Sequence, residues 1–468
     1  MSKENFVKDS GYELYLKLVV EKKKLISEKL ILDKKDNHKY PIENAPFKIP
    51  KNWYWCYLSD ISIIQEGPGI RKHQYQNEGI QFLTVTNILE DAIDLDKSKK
   101  YISLSEYEKT YSHFTINKGD IVTACSGGSW GKSAMFELDD TLILNTSTLR
   151  LRFYNDLGNN RYLYYLTKTS YFKDSLRSYI TGQQPNYGYS HYSKIPIPLP
   201  PLPEQQRIVS ILDECFTAID KAKANAEQNL KNAKELFESY LQGVFEKLMG
   251  RTELTKLANH LDLITYGFTN PMPTTDEGPY MITAKNVNYG IVDYENARRT
   301  SQEAFDNLIT DKSRPKVGDV LLTKDGTLGR LGVVEKESSC INQSVALLRP
   351  NENLNSYYLK VLLSSPFYQK LMIEQAGGAT IKHIYITRVD KMLVPIPPLK
   401  EQQTIVRQLD VLRAETQKLE AVYQQKIDNL EELKKSILQK AFAGQLSSPE
   451  GAEYTKDGCS PSDKTIAV

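Results

Sequence analysis

The stretch Lys194–Asp213, KIPIPLPPLPEQQRIVSILD, occurs twice in the chain, the second time as Lys391–Asp410, KMLVPIPPLKEQQTIVRQLD. The offset is 391 − 194 = 197 residues, and twelve of the twenty aligned positions are identical, among them Pro200/Pro397, Pro201/Pro398, Glu204/Glu401, Gln205/Gln402, Gln206/Gln403 and Asp213/Asp410. In each copy a proline run, which cannot continue a helix or a central strand, gives way to a charged, helix-favouring segment. Each copy therefore reads as one globular unit ending and one long helix beginning. A period this long means duplicated domains, not a solenoid.

Downstream of the first copy, Ile208, Leu212, Cys215, Ile219, Ala222, Ala226, Leu230, Ala233, Phe237, Tyr240 and Val244 step mostly by four and three. After the second, Ile405, Leu409, Leu412, Thr416, Leu419, Tyr423, Leu430, Leu433 and Ile437 do nearly the same. A spacing near 3.5 is the seam of a coiled coil, whereas a helix lying on its own globular unit shows a wider apolar face. Each helix is predicted to run roughly 40–45 residues, on the order of 60–68 Å. Two copies of a domain plus helix pack most simply about a local two-fold axis, so the pairing is predicted to be antiparallel, with Ile208 toward Ile437. The alanines at 222, 226 and 233 let the partner helix approach closely.

Upstream, the duplication extends through the globular units. Leu58 aligns with Leu257, Gly79–Asn87 with Gly278–Asn286, Lys118–Val122 with Val317–Leu321, and Asn145–Ser147 with Asn342–Ser344. Between these anchors the residues barely resemble each other, which is the pattern of one fold carrying two different surfaces. Strand-like runs (Gln81–Thr86, Asp120–Ala124, Leu142–Leu144, Arg150–Phe153) alternate with turns and a helical stretch near Arg161–Tyr179, so each unit reads as α/β (α+β). Before the first unit, Tyr12–Lys35 is Lys-rich with Leu14, Leu18, Leu25 and Leu32 at helical multiples, an amphipathic helix in need of a partner. The expected division is an arm (1–40), a first unit (41–203), a central helix (204–250), a second unit (251–398), a distal helix (399–446) and a disordered tail (447–468).

Composition narrows the class. A chain of 468 residues has room for two or three domains, and 40 % hydrophobic with 25 % charged residues is ordinary for a globular protein. Cys56, Cys125, Cys215, Cys340 and Cys459 are scattered with no C-x-x-C pair, which speaks against a zinc or disulfide scaffold and suits a cytoplasmic location. No apolar run approaches a membrane span and no signal-peptide pattern opens the chain. The net charge of +2 does not decide between partners, because a basic face can be balanced elsewhere.

Catalytic patterns fail one by one. Ser126–Ser133, SGGSWGKS, nearly matches the phosphate loop, but its first glycine stands one position too late, and the counterpart Asp325–Arg330 has no Lys-Ser/Thr pair. Asn270-Pro-Met-Pro273 lacks the aromatic of an adenine methyltransferase. The six histidines are isolated, with no metal-ligand spacing. The chain is expected to be catalytically silent, with no metal and no cofactor of its own.

The residues PIPLPPLPEQQRIV, the second copy PIPPLKEQQTIV, the ending Leu433–Leu446 (LKKSILQKAFAGQL) and Ile49–Leu58 together resemble the specificity subunit of type I restriction–modification enzymes. The resemblance covers nearly the whole chain. It implies two target-recognition domains, each reading one half of an asymmetric, bipartite DNA sequence, and an antiparallel coiled coil that docks two modification (methyltransferase) subunits. In such a complex, S-adenosylmethionine, ATP and Mg belong to other subunits, and restriction (translocase/nuclease) subunits join to cleave unmethylated DNA. Two separated domains imply half-sites about one helical turn apart, at ~10–10.5 bp. The rival readings are a fragment of a fused methyltransferase–nuclease, or a coiled-coil scaffold with no DNA role. Two full repeats without a catalytic motif disfavour the first, and two divergent globular units disfavour the second.

Several polar segments are candidates for DNA contact. In the first unit they are Arg71, Lys72, His73, Asn87, Ser126, Ser129, Lys132, Gln183, Gln184, Asn186 and Tyr187. In the second they are Tyr266, Asn270, Lys285, Asn286, Lys324, Thr327, Arg330, Lys382 and His383. Arg and Lys can bond guanine or phosphate, and Asn and Gln can pair with adenine. Glu204, Gln205, Gln206 and their copies are expected to fix the domain–helix junction instead.

Overall fold

The computed structural model describes residues 10–34, 36, 38–40, 42, 45–179, 185–288, 290–377 and 382–446. The chain forms two compact units, Met1–Lys223 with Asp428–Val468, and Ala224–Ile427. The tail expected to be disordered lies outside the described residues.

The first unit is built on a four-stranded antiparallel sheet in the order Ser62–Glu66, Thr148–Phe153, Ile121–Ala124, Ser133–Met135. Its Ile121–Ala124 strand is buried on both faces: Ile121 joins the main core, while Val122 and Ala124 join a smaller one with Phe136 and Leu144. A three-stranded mixed sheet follows the order Tyr101–Ile102, Ile80–Phe82, Leu142–Ile143. The strand expected to reach Thr86 stops at Phe82, because the Asn87 side chain draws the chain into a turn by accepting from the Thr84 N–H at 3.0 Å. The single helical stretch expected near 161–179 is two helices, Asn160–Lys168 and Ser170–Arg177. They break at Thr169, whose backbone is extended and whose hydroxyl caps the Phe172 N–H at 3.2 Å. Tyr54–Tyr57 pairs antiparallel with Pro196–Leu199, so the aromatic opening of the unit closes against its proline-rich end.

The arm helix is Gly11–Ser27, shorter than expected. Leu14, Leu18 and Leu25 enter the core of the first unit, which is the partner that the stripe demanded; Leu32 lies beyond the helix and is exposed.

The second unit repeats the topology. Its sheet runs Leu261–Tyr266, Val345–Pro350, Val320–Thr323, Leu331–Val333, and its mixed sheet Arg298–Arg299, Thr275–Ile282, Ser339–Ile341. Even the register is kept: Ile121 faces Leu151 in the first unit, and Val320 faces Leu348 in the second. A short ribbon of Val287–Asn288 with Ile291–Val292 is added.

Each unit is tied to its helix by a buried glutamine. Gln205 accepts from the Asn159 N–H at 2.9 Å and donates to the Pro200 carbonyl at 2.9 Å. Gln402 accepts from the Asn355 N–H at 2.8 Å and donates to Pro397 at 2.8 Å and Asn353 at 2.9 Å. The duplicated glutamine thus satisfies the N–H of a helix cap and the carbonyl that a proline run leaves unpaired. Its neighbours Gln206 and Gln403 are exposed.

The long helices are Leu202–Met249 and Leu399–Phe442. In the first unit Ile208, Leu212, Phe216 and Ile219 share a core with Leu438, Ala441 and Phe442, and Ile437 packs against it. Lys223 pairs with Glu431 at 2.7 Å and Asp220 with Lys434 at 3.2 Å, so the two segments run antiparallel. In the second unit Leu241, Phe245 and Leu248 pack with Ile405 and Leu409, and Arg413 lies 5.2 Å over the Phe237 ring, again antiparallel. Three residues assigned to the seam, Tyr240, Leu419 and Leu433, are exposed. A seam read at 3.5 residues drifts by about 20° per heptad on a straight helix, and burial has moved to Leu241, Phe245 and Leu248 in one helix and Leu438, Ala441 and Phe442 in the other.

Candidate nucleic-acid interface

At one corner of the first unit several loops meet. Gly67 follows the Ser62–Glu66 strand so closely against Asn145 that a Cβ there would lie 2.2 Å from the Asn145 carbonyl oxygen. The Thr146 hydroxyl donates to the Pro68 carbonyl at 3.0 Å. The Cys125 N–H donates to Ser147 at 2.8 Å, the Tyr187 N–H to Cys125 at 2.9 Å, and Ser126 and Asn186 form a β-bridge. This places the Ser126–Lys132 turn, the Asn145–Ser147 turn and Asn186 side by side, with Arg71, Lys72 and His73 exposed on the loop that leaves the corner.

The second unit builds the same corner with the same backbone bonds. A Cβ on Gly267 would lie 1.9 Å from the Ile341 carbonyl oxygen. The Lys324 N–H donates to Ser344 at 2.9 Å, the Ile384 N–H to Lys324 at 3.0 Å, and Asp325 and His383 form the bridge. Matched by the repeat, Cys125 corresponds to Lys324, Ser126 to Asp325, Asn186 to His383 and Tyr187 to Ile384 (offsets 324 − 125 = 199 and 383 − 186 = 197). The frame is common and its side chains differ.

Those side chains set different chemistry at the two tips. In the second unit the His383 ring bonds the Asp325 carboxylate, Lys324 Nζ reaches that carboxylate at 2.7 Å, and the Tyr266 ring lies 5.6 Å from the same ammonium. Burial pushes the Asp325 carboxyl up, but hydrogen bonds and charge from Lys324 and His383 outweigh it and hold the group below its usual value. The Arg330 guanidinium bonds the Asn288 side chain, which donates to the Lys285 carbonyl at 2.7 Å, so Lys285 and Arg330 meet on one side of the turn. Asn270, Thr327 and Lys382 are exposed. In the first unit the matching positions are the uncharged Cys125, Ser126 and Asn186. Ser126, Ser129 and Lys132 are half-buried and Asn186 is exposed.

Three candidates are withdrawn by their burial. Asn87 is fully buried; its oxygen accepts from Thr84 N–H and hydroxyl at 3.0 and 2.7 Å, and its amide donates to Asp94 and Ser98 at 2.9 and 3.1 Å. Asn286 does the same for Thr283, at 3.0 and 2.9 Å. Both are buried and pin a turn, Asn87 with both ends of its amide and Asn286 with its oxygen. Tyr187 is buried against Trp130 with ring centres 5.3 Å apart, and supports the corner from beneath. Gln183 and Gln184 lie outside the described residues.

Two contributors escaped the sequence reading. The Arg177 guanidinium sits 5.5 Å over the Trp130 ring, a cation held at the edge of the first corner. Asn288 orients Arg330 in the second. The tryptophan inside the Ser126–Lys132 turn was the available signal for the first; Asn288 had none. Among the described residues no His/Cys/Asp/Glu group could hold a metal ion, and no helix is long and apolar enough to cross a membrane.

The family model for the type I restriction modification DNA specificity domain matches residues 50–231 and again 238–431. The chain is 23% identical to the type I restriction enzyme EcoBI specificity subunit of Escherichia coli, over 88% of this chain and 90% of that one. It is 26% identical to the EcoKI specificity subunit of Escherichia coli strain K12, over 87% and 92%. A chain from a structure of a type I R-M system, described for complex assembly and conformational transition, has the same fold with a TM-score of 0.70, at 21% identity over 86% of this chain and 100% of that one.

Proposed function

The chain belongs to the type I restriction–modification DNA specificity family, and from that premise we propose that its two corners each read one half of an asymmetric, bipartite target. It is the sequence-specific, non-catalytic DNA-recognition subunit of a type I restriction–modification complex, and it assembles with methyltransferase and restriction subunits. The observation that carries the reading is the duplicated corner: one backbone frame, made by the same hydrogen bonds, presents Ser126 and Asn186 in one unit and Asp325 and His383 in the other. A frame kept while its tips change is what reading two different sequences requires, because base edges are discriminated by donor and acceptor pattern. The exposed Arg71, Lys72, Lys285 and Lys382 supply phosphate contacts, which fix register without reading sequence.

In this reading two modification subunits dock on the long helices, one per repeat. S-adenosylmethionine, ATP and Mg are handled by the other subunits, and the complex works in the cytoplasm. Methylome sequencing of a host carrying the intact system tests it. The expected result is modified adenine in two unlike short motifs with an unread spacer; one continuous motif would overturn the proposal.

A further inference from the structure

The two corners obtain a lysine from different parts of the chain. In the second, Lys324 belongs to the corner itself, and its ammonium lies 5.6 Å from the ring of Tyr266, the last residue of the Leu261–Tyr266 strand. In the first, the position matched to Lys324 is the buried Cys125. The strand end matched to Tyr266 is Glu66, since Glu66 pairs with Leu149 and Tyr266 with Ala346 (346 − 149 = 197). An ammonium is nonetheless placed there. Lys34 Nζ sits 3.6 Å from the centre of the Tyr189 ring, and the Tyr189 N–H donates to the Glu66 carboxylate. Glu66 precedes Gly67 and Tyr189 follows Asn186 by three residues, so both belong to the first corner.

The link behind the arm helix delivers this lysine. At the base of the Ser62–Glu66 strand, Lys22 of the arm lies 3.9 Å from Asp60, His38 meets the Ser59 hydroxyl at 2.9 Å, and Tyr40 bonds Asp60. Lys34 stands at the other end of that strand, four residues on (66 − 62 = 4) and roughly 13 Å away. Between the arm and His38 the chain therefore climbs to the corner and comes back. Lys34 is exposed, and among the described residues no carboxylate pairs with its ammonium. Burial lowers its pKa, and Glu66 and Asp36 pull it back. A ring face fixes an ammonium without using up its three N–H donors, which stay available to an anion.

We propose that the link is part of the first recognition corner, and that Lys34 binds a backbone phosphate of the half-site read by the first unit. The proposal rests on reading the chain as a DNA-recognition subunit. It goes further by giving the arm link a DNA contact that only one of the two half-sites receives.

The test uses the complex with its modification subunits and a duplex carrying the motif that methylome sequencing returns, titrated by fluorescence anisotropy across a range of salt. Lys34→Gln should weaken binding about fivefold near physiological salt and lower the slope of log K against log[salt] by about 0.9, as for one phosphate contact. Lys34→Arg should restore both. Lys23→Gln, the same charge change at an exposed position of the arm helix, should leave the slope as it is. When single phosphates are replaced by uncharged methylphosphonates, one position at the first half-site should weaken the wild type and leave Lys34→Gln no weaker. Lower affinity with an unaltered slope would make Lys34 a brace for the corner and overturn the proposal. So would an equal fall in slope for Lys23→Gln, or coupling to a phosphate of the second half-site. A wild-type complex that does not prefer the motif over a scrambled duplex would overturn the recognition reading, and this inference with it.

Discussion

The two units share a fold, but only the first lies under an arm helix, and its surface differs accordingly. Beneath the arm, Ser59 and Ile61 are buried to 1% and 0%. Their counterparts, by the alignment of Leu58 with Leu257, are Ala258, which is exposed, and His260, which is partly exposed and bonded to the Thr255 hydroxyl at 2.7 Å. Tyr54, whose ring meets Tyr12 edge-on and Tyr15 at a tilt, is matched by the exposed Glu253. Here divergence follows cover. At the corners the backbone bonds are alike in both units and the side chains still differ, so cover does not explain the change; the proposed reading of two unlike half-sites would. At the junction, Gln205 and Gln402 each close bonds to a cap N–H and to a proline-run carbonyl, and the glutamine has not diverged.

The comparison breaks most visibly if the corners are not independent readers. Replacing residues 53–195 with the equivalent unit of a relative should change one half of the methylated target completely and leave the other intact. A swap that alters both halves would mean that the units read together.

Next in size are the junction glutamines. Gln205→Met or Gln402→Met leaves a part-buried N–H and a buried carbonyl unpaired, each worth ~1–3 kcal/mol, so a loss of about 2–6 kcal/mol in guanidinium unfolding is expected. Gln402 makes one more bond than Gln205 and its replacement should cost more. If Gln402→Met costs no more than the exposed Gln403→Met, the shared junction is not what holds each unit to its helix.

The corner tips come third. Asp325→Ser with His383→Asn gives the second unit the bridge residues of the first and leaves Lys324 without its carboxylate partner. Discrimination at one or two base pairs of the second half-site should fall by ~1–3 kcal/mol, with the first half-site unaffected. Because Asp325 and His383 are bonded to each other, the two single changes should not add. Additive effects in competition gel shifts would show that the pair does not act as one reader.

What the chain disclosed by itself follows from what a repeat can carry. The duplication gave away both helix starts, their antiparallel pairing and the shared unit, because these depend on proline runs, apolar period and symmetry. It also marked the Ser126–Lys132 and Lys324–Arg330 turns, since unlike residues in a like setting stand out. Asn87 and Asn286 misled for a physical reason: an asparagine that pins a turn and one that reads adenine use the same amide, and only burial separates them. Thr169 broke a helix without a proline or glycine to announce it. Leu433 fell on the seam by its spacing but not by its angle, because a 3.5-residue count drifts on a straight helix.

The smallest effect sharpens the difference in cover. The link behind the arm places the His38 ring against Tyr57 with centres 4.0 Å apart, and its Nε2 lies 2.9 Å from the Ser59 hydroxyl. Asp36 lies 4.0 Å from that nitrogen, Lys22 lies 4.0 Å from Asp36 and 3.9 Å from Asp60, and Tyr40 bonds the Asp60 carboxylate. Tyr189 donates to Asp36 at 2.6 Å and carries Lys34 at 3.6 Å over its ring, which closes the latch. Burial lowers the His38 pKa below its ordinary 6.5; Asp60 and Asp36 pull it back, and Lys22 and Lys194 push it down further. The folded latch therefore holds a proton less tightly than the free arm. Its contribution is complete above the free-arm value near 6.5 and is lost as the pH falls through that value toward the lower folded one. Amide protection of Gly11–Ser27 should drop between about pH 7.5 and about pH 5.5, after correction for intrinsic exchange, while that of Leu241–Leu248 should not. His38→Gln keeps a partner for Ser59 but cannot titrate, and should remove the drop. An arm whose protection falls equally in that variant owes its pH response to something other than the latch.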